Sequence, residues 1–381
     1  MKRKICVLSG KRGGFGALIR TMQLIEKDPD LELQLILTDM HLSRKFGYTT
    51  KEVEGWFSVA EKVAIKQEND TSVSRTEAMG LCMHKMARAF SRLKPDILLI
   101  IGDRGEVFAS AIAATNLNIP IAHIQGGDVS GNVDEVFRHA ITKLSHIHLP
   151  ATEDSAMRIA KMGEEKWRVH VVGDVHVDLI KAKMYTPAKE VRKRFRLSNN
   201  EDFVMVLYHP VTTEPENSYR DMRNVLRAVK RSNLKVILTY PCSDQGYQGI
   251  IDAINEVSHS DQFHIYKNIE APDFLGLLSC TKVLIGNSSS GLIEAPYFKL
   301  PVVNVGKRQM GRLREENVID AEPKTASIYQ AINMALHDRK FREKLKYCGH
   351  VFGNGKCAEK IVRILKNAEI NQRLIEKRMT Y

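Results

Sequence analysis

Acids, bases and arginines recur in this chain directly behind apolar runs, which is where an α/β protein presents side chains to a ligand. Asp103-Arg104 follows the run Ile97–Ile101, and His123, Gln125, Asp128 and Asp134 follow or overhang Ile119–Ile124. His41 comes after Asp39 at the end of Leu31–Leu37, and His209-Pro210 follows Phe203–Tyr208. A carboxylate or imidazole at such a place can move a proton, and an arginine can neutralise an anion. Each also has a plainer reading. Asp103 and Asp134 could simply cap the helices behind them, and His139 could face a neighbouring helix. Strand ends that repeatedly carry ionisable groups exceed what capping needs, because a buried unpaired charge is costly.

The second half carries Ile285-Gly-Asn-Ser-Ser-Ser-Gly-Leu-Ile-Glu294, then Pro-Val-Val-Asn-Val-Gly-Lys-Arg308. A strand over Lys282–Ile285 breaks into a loop of small residues with a helix behind it. Such a loop lets backbone N–H groups approach an anion, and the helix N-terminus adds its positive end. Glu294, one turn into that helix, could accept hydrogen bonds from the two hydroxyls of a ribose, and Arg308 could hold phosphate. Together they describe a nucleoside diphosphate site. A serine-rich turn that only caps a helix is the alternative.

A second glycine-rich segment, Gly10-Lys-Arg-Gly-Gly-Phe-Gly16, lies between a strand Lys4–Ser9 and a helix Ala17–Ile25. With Asp39 ending the next strand, this is the order of a dinucleotide fingerprint. The spacing G-x-x-G-G-x-G is not G-x-G-x-x-G, however, and no P-loop lysine follows, so the segment points to a substrate-facing turn rather than to NAD.

The elements that must position these groups alternate along the chain. Helices over Met79–Leu93, Glu106–Thr115 and Asp134–Ser145 separate strands at Ile97–Ile101, Ile119–Ile124 and His146–Leu149, with Val169–Val172 as the last strand of the series. The pattern restarts at Phe203–Tyr208, Leu234–Tyr240, Phe263–Tyr266 and Lys282–Ile285, with Asp174–Asn200 as the crossover. Continuous apolar strands between helices predict α/β architecture, with two Rossmann-like parallel sheets facing a cleft.

The 381 residues suffice for two domains, and 43% hydrophobic with 27% charged residues is an ordinary globular balance. No apolar run is long enough to span a bilayer, and the start of the chain lacks a signal-peptide stretch, so a cytoplasmic location is expected, with no membrane partner. Six scattered cysteines without a C-x-x-C pair predict neither a zinc site nor a disulfide framework. The net charge of +12 includes the dense run Lys189–Arg196, but no aromatics interleave with it in a recognition pattern. An acidic nucleotide substrate explains part of the charge without nucleic acid.

These same residues resemble the hydrolysing UDP-N-acetylglucosamine 2-epimerases. The matching segments are Met40-His41 with Phe46-Gly47, Leu93–Asp96 through Gly102-Asp103-Arg104, His123 through Lys143, His209–Thr213, and Gly286 through Arg312. Phe352-Gly-Asn-Gly355 resembles a late motif of the family. The resemblance implies the glycosyltransferase-B architecture. Residues 1–173 would form a first domain on the sugar side, joined by the C-terminal helix within 358–381, and 174–357 a UDP-binding domain. It also implies that Arg12, His41, Arg104, Gln125, Ser288, Ser289, Ser290, Gly291, Glu294 and Arg308 bind substrate, with His209 by the diphosphate. Asp103, Asp134 and His209 become the catalytic set. The implied reaction removes the C2 proton with loss of UDP from C1, then adds water to the resulting glycal. It needs no NAD, other cofactor or metal, and the implied assembly is a homodimer or homotetramer.

Two departures stand out. Gln125 occupies a position where many members have Glu, and an amide cannot abstract a proton, so the base lies elsewhere or the amide binds the sugar. Lys11–Gly16 replaces an Arg-Ala-Asp/Glu-Tyr pattern, which suggests an altered sugar such as a 2,4-diacetamido-trideoxyhexose. A non-hydrolysing epimerase would carry a Pro-Glu-Glu-x-Asn-Arg run where this chain has Val133–His139. A glycosyltransferase, or a nucleotide-sugar sensor without catalysis, would leave the first-half acids without a role.

Overall fold

Short runs of Val, Ile and Leu, apolar on both faces, make strands that require cover from helices on two sides. The computed structural model describes residues 1–130 and 133–380. They divide into two compact units, one running to Ala182 and taking in the chain again from Phe352, the other spanning Lys183–Val351.

The first unit contains β1 (Arg3–Ser9), α1 (Arg12–Lys27), β2 (Leu31–Thr38), α2 (Thr50–Glu54), β3 (Val59–Val63), α3 (Ser72–Leu93) and β4 (Ile97–Ile101). It continues with α4 (Gly105–Asn116), β5 (Ile121–Ile124), α5 (Val133–Leu144), β6 (Ile147–Leu149), α6 (Glu153–Lys161) and α7 (Val175–Lys181). The second unit holds α8 (Ala188–Arg194), β7 (Phe203–Leu207), α9 (Ser218–Lys230), β8 (Lys235–Thr239), α10 (Tyr247–Asn255), β9 (Phe263–Tyr266) and α11 (Ala271–Leu278). After these come β10 (Leu284–Gly286), α12 (Ser290–Ile293), β11 (Val302–Val305), β12 (Val318–Ala321), α13 (Thr325–His337) and α14 (Arg339–Lys344). Helices α15 (Cys357–Asn367) and α16 (Gln372–Ile375) return to the first unit.

Both sheets have six strands, in the orders β3-β2-β1-β4-β5-β6 and β12-β11-β10-β7-β8-β9. The pairings are parallel throughout. Read from its first strand, each sheet reverses direction once, between β1 and β4 and between β7 and β10. Open α/β sheets bind ligands beyond the carboxyl ends at that reversal. Residues of β1, β4 and β5 pack with α3 and α4 in the first core, and those of β7, β8 and β10 with α9 and α13 in the second. Each fully buried aliphatic side chain contributes about 1.5–3 kcal/mol, so these layers hold the strand ends in place. In the first unit α15 packs on α1 and α7, its start held by Asp178, whose carboxylate accepts from the N–H groups of Cys357 and Ala358.

Several local expectations are corrected. Residues 169–172 are not a strand: Val169 makes one parallel bridge to His148 before the chain turns into α7. Helix α1 starts at Arg12 rather than Ala17, because Phe15, Leu18, Ile19 and Met22 already form its buried stripe. The edge strands β3 and β12 carry charged residues and are only half-covered, so they do not read as continuous apolar runs. The two units divide after Ala182 and before Phe352, with α7 packed on α1 in the first. Among the described residues no helix is long and apolar enough to cross a membrane.

Candidate functional site

At the reversal of the first sheet, β1 and β4 lie side by side, with Ile5 opposite Ile97 and Val7 opposite Leu99. Behind β1 stands Gly10, where a Cβ would lie 2.5 Å from Glu106 Oε1, so close approach of that buried carboxylate requires glycine. Behind β4 the chain turns at Gly102, with φ of +79°. The Gly102 carbonyl accepts from His123 Nε2 at 2.7 Å. Burial drives the His123 ring down to about 3, so it stays neutral and pins this turn.

Asp103 follows that turn and accepts a charge-assisted hydrogen bond from Arg138 Nη2. Arg138 is 4% exposed, and its Nη1 donates to the Asp128 carbonyl at 3.0 Å. Burial opposes its charge, but Asp103, Asp128, Asp134 and Glu135 outweigh burial and hold it protonated. Asp134 is one turn ahead of Arg138 on the same face of α5. Neither acid is the cap that the plainer reading allowed. Residue 104, not 103, is the N-cap of α4, and Asp134 is already inside α5.

Arg104 is buried, with its guanidinium 3.8 Å from both Asp39 and Glu106. Arg12 begins α1 and is close enough to His41 to disfavour its protonation. His41 itself is completely buried, with Nε2 2.9 Å from Ser9 Oγ and Nδ1 2.6 Å from Thr49 Oγ1. Burial first, and Arg12 second, bring it to about 4. Both ring nitrogens are engaged by protein hydroxyls, so His41 braces the loop behind β2. Gln125 has φ of +63°, a conformation costing roughly 1–2 kcal/mol for a residue with a Cβ. Its side chain donates to Asp174 Oδ2 at 2.7 Å.

In the second unit the matching reversal brings the ends of β7 and β10 together, Gly286 opposite Leu207. Here a Cβ on Gly286 would lie 2.0 Å from the Leu207 carbonyl, and one on Gly291 would lie 2.7 Å from Val302. Packing against the neighbouring strands therefore requires both glycines. Asn287 ties the two strand ends, accepting from His209 N at 2.7 Å and donating to His209 O at 2.8 Å. The Cys242 N–H donates to His209 Nδ1 at 3.1 Å, which leaves the ring proton on Nε2. His209 can thereby donate from Nε2 to an anion, in keeping with the place beside a diphosphate expected of it.

Arg308 donates to the Asn287 carbonyl at 3.1 Å and lies 3.9 Å from the buried Asp244. Ser288 accepts at its hydroxyl from Ser290 N at 3.3 Å, and its carbonyl accepts from Gly291 N at 3.1 Å. Ser289 and Ser290 are partly exposed, while Glu294 is 6% exposed. The helix carrying this loop is only Ser290–Ile293, because Pro296 forces a 3₁₀ turn after it, so the expected dipole is weak. Donors from Arg308, His209 and the serines beside an acid, Glu294, make an arrangement able to hold a diphosphate and a diol.

Sequence reasoning missed Arg138, Glu106, Asp174, Asn287 and Asp244. The signal for Arg138 was its spacing of four from Asp134 on one helix face. Among the described residues no group of three or more His, Cys, Asp or Glu is placed to hold a metal ion.

Residues 23–366 match the family described as UDP-N-acetylglucosamine 2-epimerase. Full-length similarity, at 35% identity over 100% of both chains, extends to a Legionella pneumophila protein named UDP-N,N'-diacetylbacillosamine 2-epimerase (hydrolyzing). A Neisseria meningitidis UDP-N-acetylglucosamine 2-epimerase is 33% identical over 90% of this chain and 89% of its own. The fold matches a UDP-GlcNAc 2-epimerase from Neisseria meningitidis bound to UDP-GlcNAc with a TM-score of 0.79, at 19% identity over 95% and 99% of the two chains. With this fold, these two strand-end clusters and a family match across most of its length, the chain belongs to the UDP-N-acetylglucosamine 2-epimerase family.

Proposed function

We propose that this protein is a hydrolysing nucleotide-sugar 2-epimerase acting on a UDP-2,4-diacetamido-trideoxyhexose, with UDP and the free 2-epimer as products. The observation that carries the chemistry is the gathering of Asp103, Asp128 and Asp134 around the buried Arg138 guanidinium. In the reaction a proton leaves C2, its bonding pair forms the C1–C2 double bond, and the C1–O bond breaks with UDP taking that pair. Water then adds its oxygen to C1 while C2 regains a proton on the opposite face. Asp103 and Asp134 supply proton transfer. Arg308, His209 and the Ser288–Gly291 loop hold the diphosphate, and Glu294 the ribose.

The diacetamido sugar is favoured by the name of the Legionella pneumophila relative. UDP-GlcNAc is the second reading, favoured by the name of the Neisseria meningitidis relative. NMR of products from each nucleotide sugar decides. Free 2-epimer plus UDP is expected, with higher kcat/KM for the diacetamido sugar, whereas a UDP-linked epimer would overturn the hydrolysing assignment. A homodimer or homotetramer in the cytoplasm belongs to the same proposal, and light scattering of the purified protein measures the assembly.

A further inference from the structure

Gln125 stands among the strand-end groups of the first unit, yet its amide moves no proton. It holds Asp174 instead, at 2.7 Å. Asp174 is 1% exposed and turns its other oxygen to His176, accepting from the backbone N–H at 3.0 Å and from Nδ1 at 2.7 Å. Burial alone would raise the Asp174 carboxyl, but His176 and these hydrogen bonds outweigh it and lower it. The His176 side chain keeps 19% of its surface exposed.

The three residues share one end of the sheet with Asp103. Gln125 directly follows Ile124, which pairs with Ile101 in β4. Gln125 N donates to Leu149 O at 3.2 Å, and Val172 N donates to Pro150 O at 3.1 Å, which carries the chain past the carboxyl end of β6 to Asp174. A buried carboxylate on Nδ1 fixes the imidazole tautomer and stabilises its charged form, so Nε2 becomes the nitrogen that accepts a proton.

We propose that His176 is a proton-transferring catalytic residue that takes the C2 proton of the substrate, with Asp174 and Gln125 as its positioning residues. This rests on the reading of the protein as a 2-epimerase. Nε2 accepts the proton, the C2–H pair becomes the C1–C2 double bond, and UDP departs with the C1–O pair. A carboxyl group of the strand-end cluster then protonates C2 on the opposite face and is restored by the proton of the added water. His176 returns its own proton to solvent.

The test compares wild type, His176→Gln and His176→Ala on the diacetamido and GlcNAc nucleotide sugars, following UDP release, UDP affinity by calorimetry and thermal melting. Glutamine keeps a donor toward Asp174 but carries no proton. It should melt and bind UDP as wild type does while kcat falls about 10²–10⁴-fold. Free imidazole should restore part of the turnover of His176→Ala. Turnover of His176→Gln within a few-fold of wild type, or no response of His176→Ala to imidazole, would overturn the assignment. A wild-type protein that releases no 2-epimer from either sugar would instead sink the functional reading beneath it.

Discussion

The guanidinium of Arg138 on α5 is bonded to the carboxylate of Asp103 behind β4, so a helix and a turn 35 residues apart in sequence fix one reactive group between them. The Asp128 carbonyl is bonded to the same side chain. Replacing Arg138 with methionine keeps its length but leaves acids facing each other without a cation. Breaking one side of a buried ion pair costs about 3–5 kcal/mol. Urea denaturation should show a loss of that size, and UDP release should fall with it even where the variant is fully folded.

The two strand-end clusters should separate under mutation. Asp103→Asn and Asp134→Asn keep size and some hydrogen bonding but carry no proton, so kcat should fall about 10²–10⁴-fold while calorimetric UDP affinity holds. Glu294→Ala and Arg308→Ala should do the opposite. Each removes charge-assisted hydrogen bonds worth about 1.5–3 kcal/mol, which weakens UDP binding by roughly 10–100-fold. Unchanged UDP affinity in both of those variants would move the nucleotide site away from the Ser288–Arg308 region.

Gln125→Glu should not improve the enzyme. The amide donates to a buried Asp174 carboxylate at 2.7 Å, and a glutamate would set two carboxylates against each other there. One of the pair must then hold a proton. A stability loss of about 1–3 kcal/mol at neutral pH is expected, shrinking as the pH falls and the shared proton becomes easier to bind. Urea melts at two pH values measure it.

Acid should unfold the first unit in two stages. His41 and His146 are buried and held at about 4, chiefly by burial, so their neutral forms belong to the fold. The unfolded chain binds their protons first, and stability drops as pH falls from about 6.5 toward 4. Glu164 adds a second stage. Burial would raise it, but hydrogen bonds from His148, Lys143 and Lys377 outweigh burial and hold it at about 2. Its contribution is complete above about pH 4.5 and is lost from there toward 2. Denaturation midpoints that stay flat from pH 7 to 4 would contradict the histidine stage.

Much of this was legible in the residues. Strand Ile97–Ile101 has the bounds that its apolar run indicates, because a central parallel strand is covered on both faces. Edge strand β3, Val-Ala-Glu-Lys-Val, was not legible, since its exposed positions interrupt the apolar run. The Gly286–Gly291 loop was found, but its glycines answer to Leu207 and Val302, partners that only the sheet brings near. Arg138 and Asp174 are not legible in the sequence for the same reason. Their meaning lies in Asp103 and in Gln125 with His176, contacts set by the order of strands rather than by neighbours in sequence.

The central claim is elimination of UDP followed by addition of water, and one isotope experiment tests it most directly. The protein is incubated with the UDP-diacetamido sugar in D₂O containing ¹⁸O-labelled water, and the products are read by NMR and mass spectrometry. The account predicts a free 2-epimer with deuterium at C2 and ¹⁸O at C1, and UDP without ¹⁸O. Recovery of UDP-linked sugar alone, retention of the original hydrogen at C2, or ¹⁸O in the released UDP would contradict it.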